Sequence, residues 1–159
     1  MSKDVVTVER VIAAPPEKIF ALLADANRHQ DFDGSGSVKA AHDGTPQRLT
    51  LGAKFGMNMR IVVPYSMVST VVEYDENKRI AWQPRPAYPI VGRFAGGRIW
   101  RYELEPVEGG TLVRESWDIT HEAGMTKPVV RQAAGKTREA MEKTLERLEQ
   151  LVTAGAVAS

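Results

Sequence analysis

Near the end of the chain, apolar and small residues recur in three- and four-residue steps, at Val130, Ala134, Thr137, Met141, Thr144, Leu145, Leu148, Leu151 and Val152. Such a step marks one face of an α-helix and predicts a long amphipathic helix over Thr126 to Val152. Thr126 ahead of Lys127-Pro128 offers a capping hydroxyl and a proline tolerated in the first turn, and Gly155 offers a stop. Arg138, Glu139, Glu142, Lys143, Glu146, Arg147 and Glu149 fall on the opposite, solvated face, with Glu139 and Lys143 at the favourable i,i+4 spacing. The apolar face tapers from Val130, Ala133, Ala134 and Gly135 to Met141, Leu145, Leu148 and Leu151, which leaves space at its narrow end. Gly135 costs roughly 1 kcal/mol relative to alanine inside a helix, so it marks a close backbone approach, a ligand, or a glycine that is merely tolerated.

The rest of the chain is organised to cover that helix. Val5 to Ile12 alternates as a first strand. Ala13-Ala14-Pro15-Pro16 breaks it, and Glu17 to Asp25 follows as a short helix with Ile19, Phe20, Leu22 and Leu23 at helical spacing. Asp25 to Phe32 reads as a second short helix ending at Asp33-Gly34-Ser35-Gly36. From Ser37 the period falls to two. Strands are predicted at Ser37 to His42, Lys54 to Val63, Met67 to Tyr74, Arg79 to Gln83, Arg98 to Pro106 and Thr111 to Thr120, an antiparallel meander. Pro84 to Gly97 is too rich in proline and glycine for a central strand and reads as a long loop. Strands packed on helices in this order make one α+β domain over residues 1–159, with the volume between sheet and closing helix as the ligand site.

Strand parity nominates the side chains that face that volume. Phe55, Met57 and Met59 share one face of their strand, Trp100, Tyr102 and Leu104 share another, and Val113, Glu115, Trp117 and Ile119 a third, with Trp82 inward beside Ile80. Methionines adapt to ligand shape, and tryptophan and tyrosine present large apolar surfaces with one donor each. Core packing accounts for the same letters. Val130 and Ala134 face the volume from the helix, and Tyr65, at the Pro64-Tyr65 corner, stands at its rim with Asp33 to Gly36 and Pro84 to Gly97. Glu115 falls between Val113 and Trp117, so it needs an arginine or tyrosine partner or its pKa must rise; inward and without an arginine, it is a candidate general acid or base. Tyr65 and Tyr102 are weaker catalytic candidates.

Composition narrows the chemistry. Twenty-one basic against twenty acidic residues in 159 give a formal net charge of +1, so no global field favours nucleic acid or an anionic membrane. The absence of cysteine removes thiol catalysis, disulfides and cysteine metal sites. His29, His42 and His121 have no metal-ligand spacing, and no phosphate-binding glycine loop or nucleophile elbow is present. No metal and no cofactor are expected. His29 beside Asp31 and Asp33 reads as part of the rim or as a solvated turn. Arg79, Arg85, Arg93, Arg98 and Arg101 form a local basic cluster, either solvated charge or a seat for an anionic group. No apolar run is long enough for a membrane span, and the first residues lack a secretion signal, so a cytoplasmic location without integral membrane association is expected.

Val8-Glu9-Arg10-Val11-Ile12-Ala13-Ala14-Pro15-Pro16-Glu17-Lys18-Ile19-Phe20, Val71-Val72-Glu73-Tyr74 running through a turn to Arg79-Ile80-Ala81-Trp82, and Tyr102-Glu103-Leu104-Glu105-Pro106 with Gly109-Gly110-Thr111 together resemble the START-related, Bet v 1-like (SRPBCC) superfamily, in its polyketide cyclase/dehydrase-like branch. Arg28 to Gly36 is similar to the actinobacterial version. The resemblance covers nearly the whole chain. It implies a helix-grip fold: a curved seven-stranded antiparallel sheet wrapped around a long C-terminal helix, with two short helices after the first strand. It also implies a binding or carrier protein for a small hydrophobic, lipid- or polyketide-like molecule, and a monomer or homodimer is expected. A cyclase or dehydratase using acid and base groups in the same cavity, and an interaction module without a ligand, are the alternatives that such folds also host.

Overall fold

A computed structural model of the chain describes residues 4–34, 38–41, 48–60, 64–86 and 96–158. Strand β1 (Val5–Ile12) leads into α1 (Pro16–Leu23), a single 3-10 turn and the four-residue α2 (His29–Phe32). Then come β2 (Val38–Ala41), β3 (Lys54–Arg60), β4 (Pro64–Asp75), β5 (Arg79–Pro86), β6 (Ile99–Val107) and β7 (Gly110–Asp118), followed by α3 (Lys127–Gln132) and α4 (Ala134–Ala158). The seven strands form one antiparallel sheet in the order β1-β7-β6-β5-β4-β3-β2. This is the helix-grip arrangement the resemblance implies. The meander runs in sequence order, while β1 closes onto β7 and carries α4 with it.

The inner face of the sheet is apolar because the pleat puts alternate residues on one side. Val6 and Val8 of β1, Val113 and Trp117 of β7, Tyr102 and Leu104 of β6, and Ile80 and Trp82 of β5 are all buried there. Helix α4 covers them with Met141, Leu145, Leu148 and Val152, the stripe its spacing predicts, while Ile19, Phe20 and Leu23 of α1 fill the adjoining core. A bulge at Val72 resets the parity of β4. Val71 and Tyr74 therefore both face inward, Tyr74 meeting Phe20 edge-on at 5.6 Å. Glu73 is thereby turned to the outer face, where its carboxylate takes Arg101 in a fork of 2.7–3.1 Å bonds and Arg79 at 3.3 Å.

Four predicted features change. The closing helix is broken: Ala133 ends α3 with its amide bonded back to Val130, and α4 begins at Ala134 and continues past Gly155. Thr126 does not cap; its hydroxyl donates to the Glu122 carboxylate instead. Strand β5 runs on through Pro84 to Pro86. Among the described residues β6 pairs with β5 no further than Trp82 opposite Trp100, so positions 84 to 86 pair with β4 on one side only, the edge setting in which prolines are tolerated. Gly135 is exposed with open space about it, so no close approach explains it.

A glycine that permits a close approach to α4 is Gly34. Its amide donates to the Thr144 hydroxyl at 2.9 Å, and that hydroxyl donates in turn to the Ala140 carbonyl at 3.0 Å. A methyl group at this position would stand 2.7 Å from both Lys143 Cβ and the Thr144 amide and would overlap the Ala140 carbonyl oxygen outright. Because helix backbone cannot yield like a side-chain tip, Gly34→Ala is expected to cost about 3 kcal/mol, the upper range for overpacking. A fall in the urea midpoint with unchanged slope would show this; a midpoint equal to wild type would mean that the segment after α2 does not rest on α4.

Candidate functional site

Backbone register sets the site. β6 and β7 pair with Tyr102 opposite Glu115 and Trp100 opposite Trp117, and β1 places Val8 on the other side of Glu115. Glu115 therefore points into the apolar interior, as its place between Val113 and Trp117 predicts, and only 2% of it is exposed. The Tyr102 hydroxyl donates to Oε2 at 2.9 Å, whereas Oε1 has no hydrogen-bond partner. Burial penalises the charged form and pushes the carboxyl up to about 8; the bond from Tyr102 opposes this, and the negative field of Asp33 adds to it. Burial, and then the neighbouring Glu115, push the Tyr102 phenol well above its ordinary range. At neutral pH the pair is a neutral acid held by a neutral phenol.

Aromatic rings extend from this pair toward β3. Trp82 lies against Tyr102 at 5.5 Å between ring centroids and against Phe55 at 5.9 Å. His29, read from sequence as rim or solvated turn, is buried and stacked on Trp82 at 4.6 Å, with Phe32 and Phe55 edge-on at 5.3 Å. Its Nε2 lies 2.9 Å from the Leu23 carbonyl, which assigns the proton to that nitrogen and leaves Nδ1 an acceptor. Burial drives its pKa down to about 4 against the smaller opposing effects of the Leu23 carbonyl, Asp25 and Asp33. The clue was available in the sequence: His29 and Phe32 lie three apart on α2, so one face carries both inward. On the other side, Trp100 and Trp117 meet at 6.2 Å, and Val130 and Ala134 join the same core where α3 meets α4. The side chains of Met57, Met59 and Tyr65 lie outside the described residues, although the register of β3 and β4 sets Met57 opposite Met67 and Met59 opposite Tyr65.

Three arginines of the basic cluster are paired with carboxylates of the chain. Arg79 bonds Glu73 and Glu103, Arg101 bonds Glu73 and lies 3.5 Å from Asp118, and Arg98 bonds Glu122; Arg93 lies outside the described residues. An open cleft of about 350 Å³ on the outer face of the sheet is lined by Asp75, Lys78, Arg79, Glu103, Glu105 and Arg114.

Glu122, which periodicity does not single out, organises the loop between β7 and α3. Its fully buried carboxylate accepts from the Gly96 and Arg98 amides at 3.2 and 3.0 Å, from the Arg98 guanidinium at 3.1 and 3.2 Å, and from the Thr126 hydroxyl. The Ala123 amide returns to the Gly96 carbonyl at 2.8 Å, and the Gln83 amide group reaches the Gly97 carbonyl at 2.8 Å. These bonds fix the approach to β6 beside Trp82. Among the described residues no group of histidines and carboxylates is arranged to hold a metal, and no helix is long and apolar enough to cross a membrane.

An antiparallel sheet gripped by a C-terminal helix over an aromatic interior is the fold of the START-related class. The chain belongs to the polyketide cyclase/dehydrase and lipid transport family, whose model matches residues 3–153. An uncharacterised protein of Mycobacterium tuberculosis is 34% identical over 118 residues, which are 73% of this chain and 47% of that protein. A probable 5-dehydro-4-deoxyglucarate dehydratase of an Arthrobacter strain is 33% identical over 102 residues, 62% of this chain and 31% of that protein. The chain thus spans about half the length, or less, of these curated relatives. Among solved structures, a Nitrosomonas europaea protein superposes with a TM-score of 0.70 at 18% identity, covering 99% of both chains. A protein from the dynemicin biosynthetic locus superposes with a TM-score of 0.66 at 13% identity, over 96% of this chain and 48% of that one. At such identities these structures speak for the fold alone.

Proposed function

We propose that this domain binds a small hydrophobic or aromatic molecule between its sheet and its C-terminal helix. The observation that carries the reading is the unpartnered Oε1 of Glu115. A buried oxygen without a partner costs roughly 1–3 kcal/mol, and a ligand that meets it recovers that cost. The rings of Trp82, Tyr102, Phe55 and His29 supply flat apolar walls for such a molecule. The family description, which joins polyketide cyclisation and dehydration with lipid transport, supports the same chemical range.

Native mass spectrometry of freshly purified protein, followed by a thermal-shift screen with fatty acids, sterols, flavonoids and aromatic polyketides, tests this. A ligand held at a hundredfold over its Kd stabilises by about 2.7 kcal/mol, a rise of roughly 5–10 °C for a domain of this size. Trp100→Ala is expected to reduce that rise. No co-purified species and no shift in any class would instead favour the interaction module.

A second reading, a cyclase or dehydratase, draws on the Glu115 proton. A carboxyl poised near 8 releases its proton close to neutral pH, the condition under which a general acid or base is most effective. A neighbour in fold from a biosynthetic locus is consistent with it.

A further inference from the structure

We propose that Glu115 is the specificity residue of the interior and acts as a neutral hydrogen-bond donor, offering an Oε1 hydroxyl to a carbonyl-type oxygen on an uncharged ligand. The inference rests on the ligand-binding reading above and adds which chemistry the ligand presents.

Donor and acceptor bookkeeping carries it. A neutral carboxylic acid has one hydroxyl donor and one carbonyl acceptor. The Tyr102 hydroxyl donates to Oε2, which makes Oε2 the carbonyl oxygen and leaves the proton on Oε1. Oε1 has no protein acceptor, so the missing partner is an acceptor supplied from outside the chain. The alternative, an ionised Glu115 awaiting a donor or a cation, fails on its surroundings. Val8 and Val113 flank it, Tyr102 is its one described hydrogen-bond partner, and the nearest field that acts on it, from Asp33 after α2, is negative. The arginines of the elements packed over the inner face are engaged elsewhere: Arg10 of β1 bonds Glu149 of α4 at 2.9 Å, Arg138 donates to the Thr7 carbonyl, and Arg147 donates to the Asp33 carbonyl.

The same surroundings exclude an anionic ligand. A carboxylate or phosphate entering here would meet the negative field that Asp33 exerts at Glu115, and among the described residues no guanidinium or ammonium bonds the Glu115 carboxyl. On the far side of Trp82, His29 contributes a neutral ring whose Nδ1 accepts. The interior thus sets a donor at Glu115 beside the aromatic faces of Tyr102 and Trp82, a pattern suited to an uncharged aromatic ketone or quinone and unsuited to a free fatty acid.

Three isosteric probes decide it: 2-acetylnaphthalene, 2-isopropenylnaphthalene and 2-naphthoate, each titrated by quenching of tryptophan fluorescence at pH 6.5 and pH 9.5. At pH 6.5 the ketone is expected to bind about tenfold more tightly than the hydrocarbon, the worth of one hydrogen bond, and the naphthoate more weakly than either. In the wild type the ketone preference should vanish at pH 9.5. Glu115→Gln, whose amide still donates, should keep the preference at both pH values, and Glu115→Leu should lack it at both. Equal binding of ketone and hydrocarbon by the wild type, tighter binding of naphthoate, or a pH dependence that survives in Glu115→Gln would overturn the assignment while leaving the ligand site standing. Failure of all three probes to bind would overturn it together with the ligand-binding reading.

Discussion

Replacing Glu122 by alanine is expected to cost roughly 3–5 kcal/mol, the usual penalty for breaking a buried ion pair from one side. Its two oxygens satisfy two backbone amides, a guanidinium and a hydroxyl inside the fold. Without them the Arg98 charge is left partly buried and the Gly96 and Arg98 amides lose their acceptors, so the loss exceeds that of any single hydrogen bond. Against a total stability of roughly 5–15 kcal/mol for a typical domain, at least about a fifth would disappear. Urea unfolding should show the shift, and the paired change Glu122→Leu with Arg98→Met should recover part of it by removing both charges together. A loss below about 1 kcal/mol for Glu122→Ala would mean that water reaches these groups and that the loop is not organised by this carboxylate.

The second large effect is a pH profile with an unusual shape. Glu115 is raised from 4.5 to about 8, so the folded state holds the proton more tightly than the unfolded chain. Its contribution is full below about 4.5 and is lost as pH rises to about 8, at roughly 1.4 kcal/mol per pH unit. His29 is lowered from 6.5 to about 4, so the unfolded chain takes the proton first. Its contribution is full above about 6.5 and is lost as pH falls toward 4, with the same slope and opposite sign. Between about 4.5 and 6.5 the two slopes cancel, and stability should be nearly flat. Above 6.5 Glu115 acts alone, and about 2 kcal/mol should be lost by pH 8. In Glu115→Gln the plateau should give way to a rise up to pH 6.5, with no fall beyond it. Denaturant midpoints at half-unit steps of pH would trace both curves. A wild type as stable at pH 8 as at pH 6, with Glu115→Gln following it, would contradict an ionisable Glu115 in the interior.

The architecture was legible because most of it is periodic. The stripe from Met141 to Val152 and the alternation through β1, β6 and β7 follow from the helical and strand repeats, and they set Tyr102 and Glu115 on the inner face. Legibility failed where burial comes from loops and irregularities. Glu122 lies in a non-periodic segment, and its partners at Gly96 and Arg98 are more than twenty residues away. The bulge at Val72 breaks the alternation that would have put Glu73 inside, and it sends that carboxylate to Arg79 and Arg101, which is why these two arginines are paired. His29 was misplaced because Asp31 and Asp33 beside a glycine-rich turn suggested a rim or a solvated turn, whereas α2 turns Gln30 and Asp31 to solvent and His29 onto Trp82.

The pairing of β1 with β7 bears on how the chain reaches its fold. Val5 meets Asp118 and Ile12 meets Thr111 across about a hundred intervening residues, while the other strand pairs are local. Closing so long a loop costs entropy before any contact returns it, and topologies dominated by such contacts fold slowly. The meander from β3 to β7 can assemble from neighbouring hairpins, but β1 has no strand to join until β7 exists. Helix α4, which rests on β1, has no complete seat until then. The aromatic interior and its acid are therefore enclosed last, when the two distant ends of the topology meet.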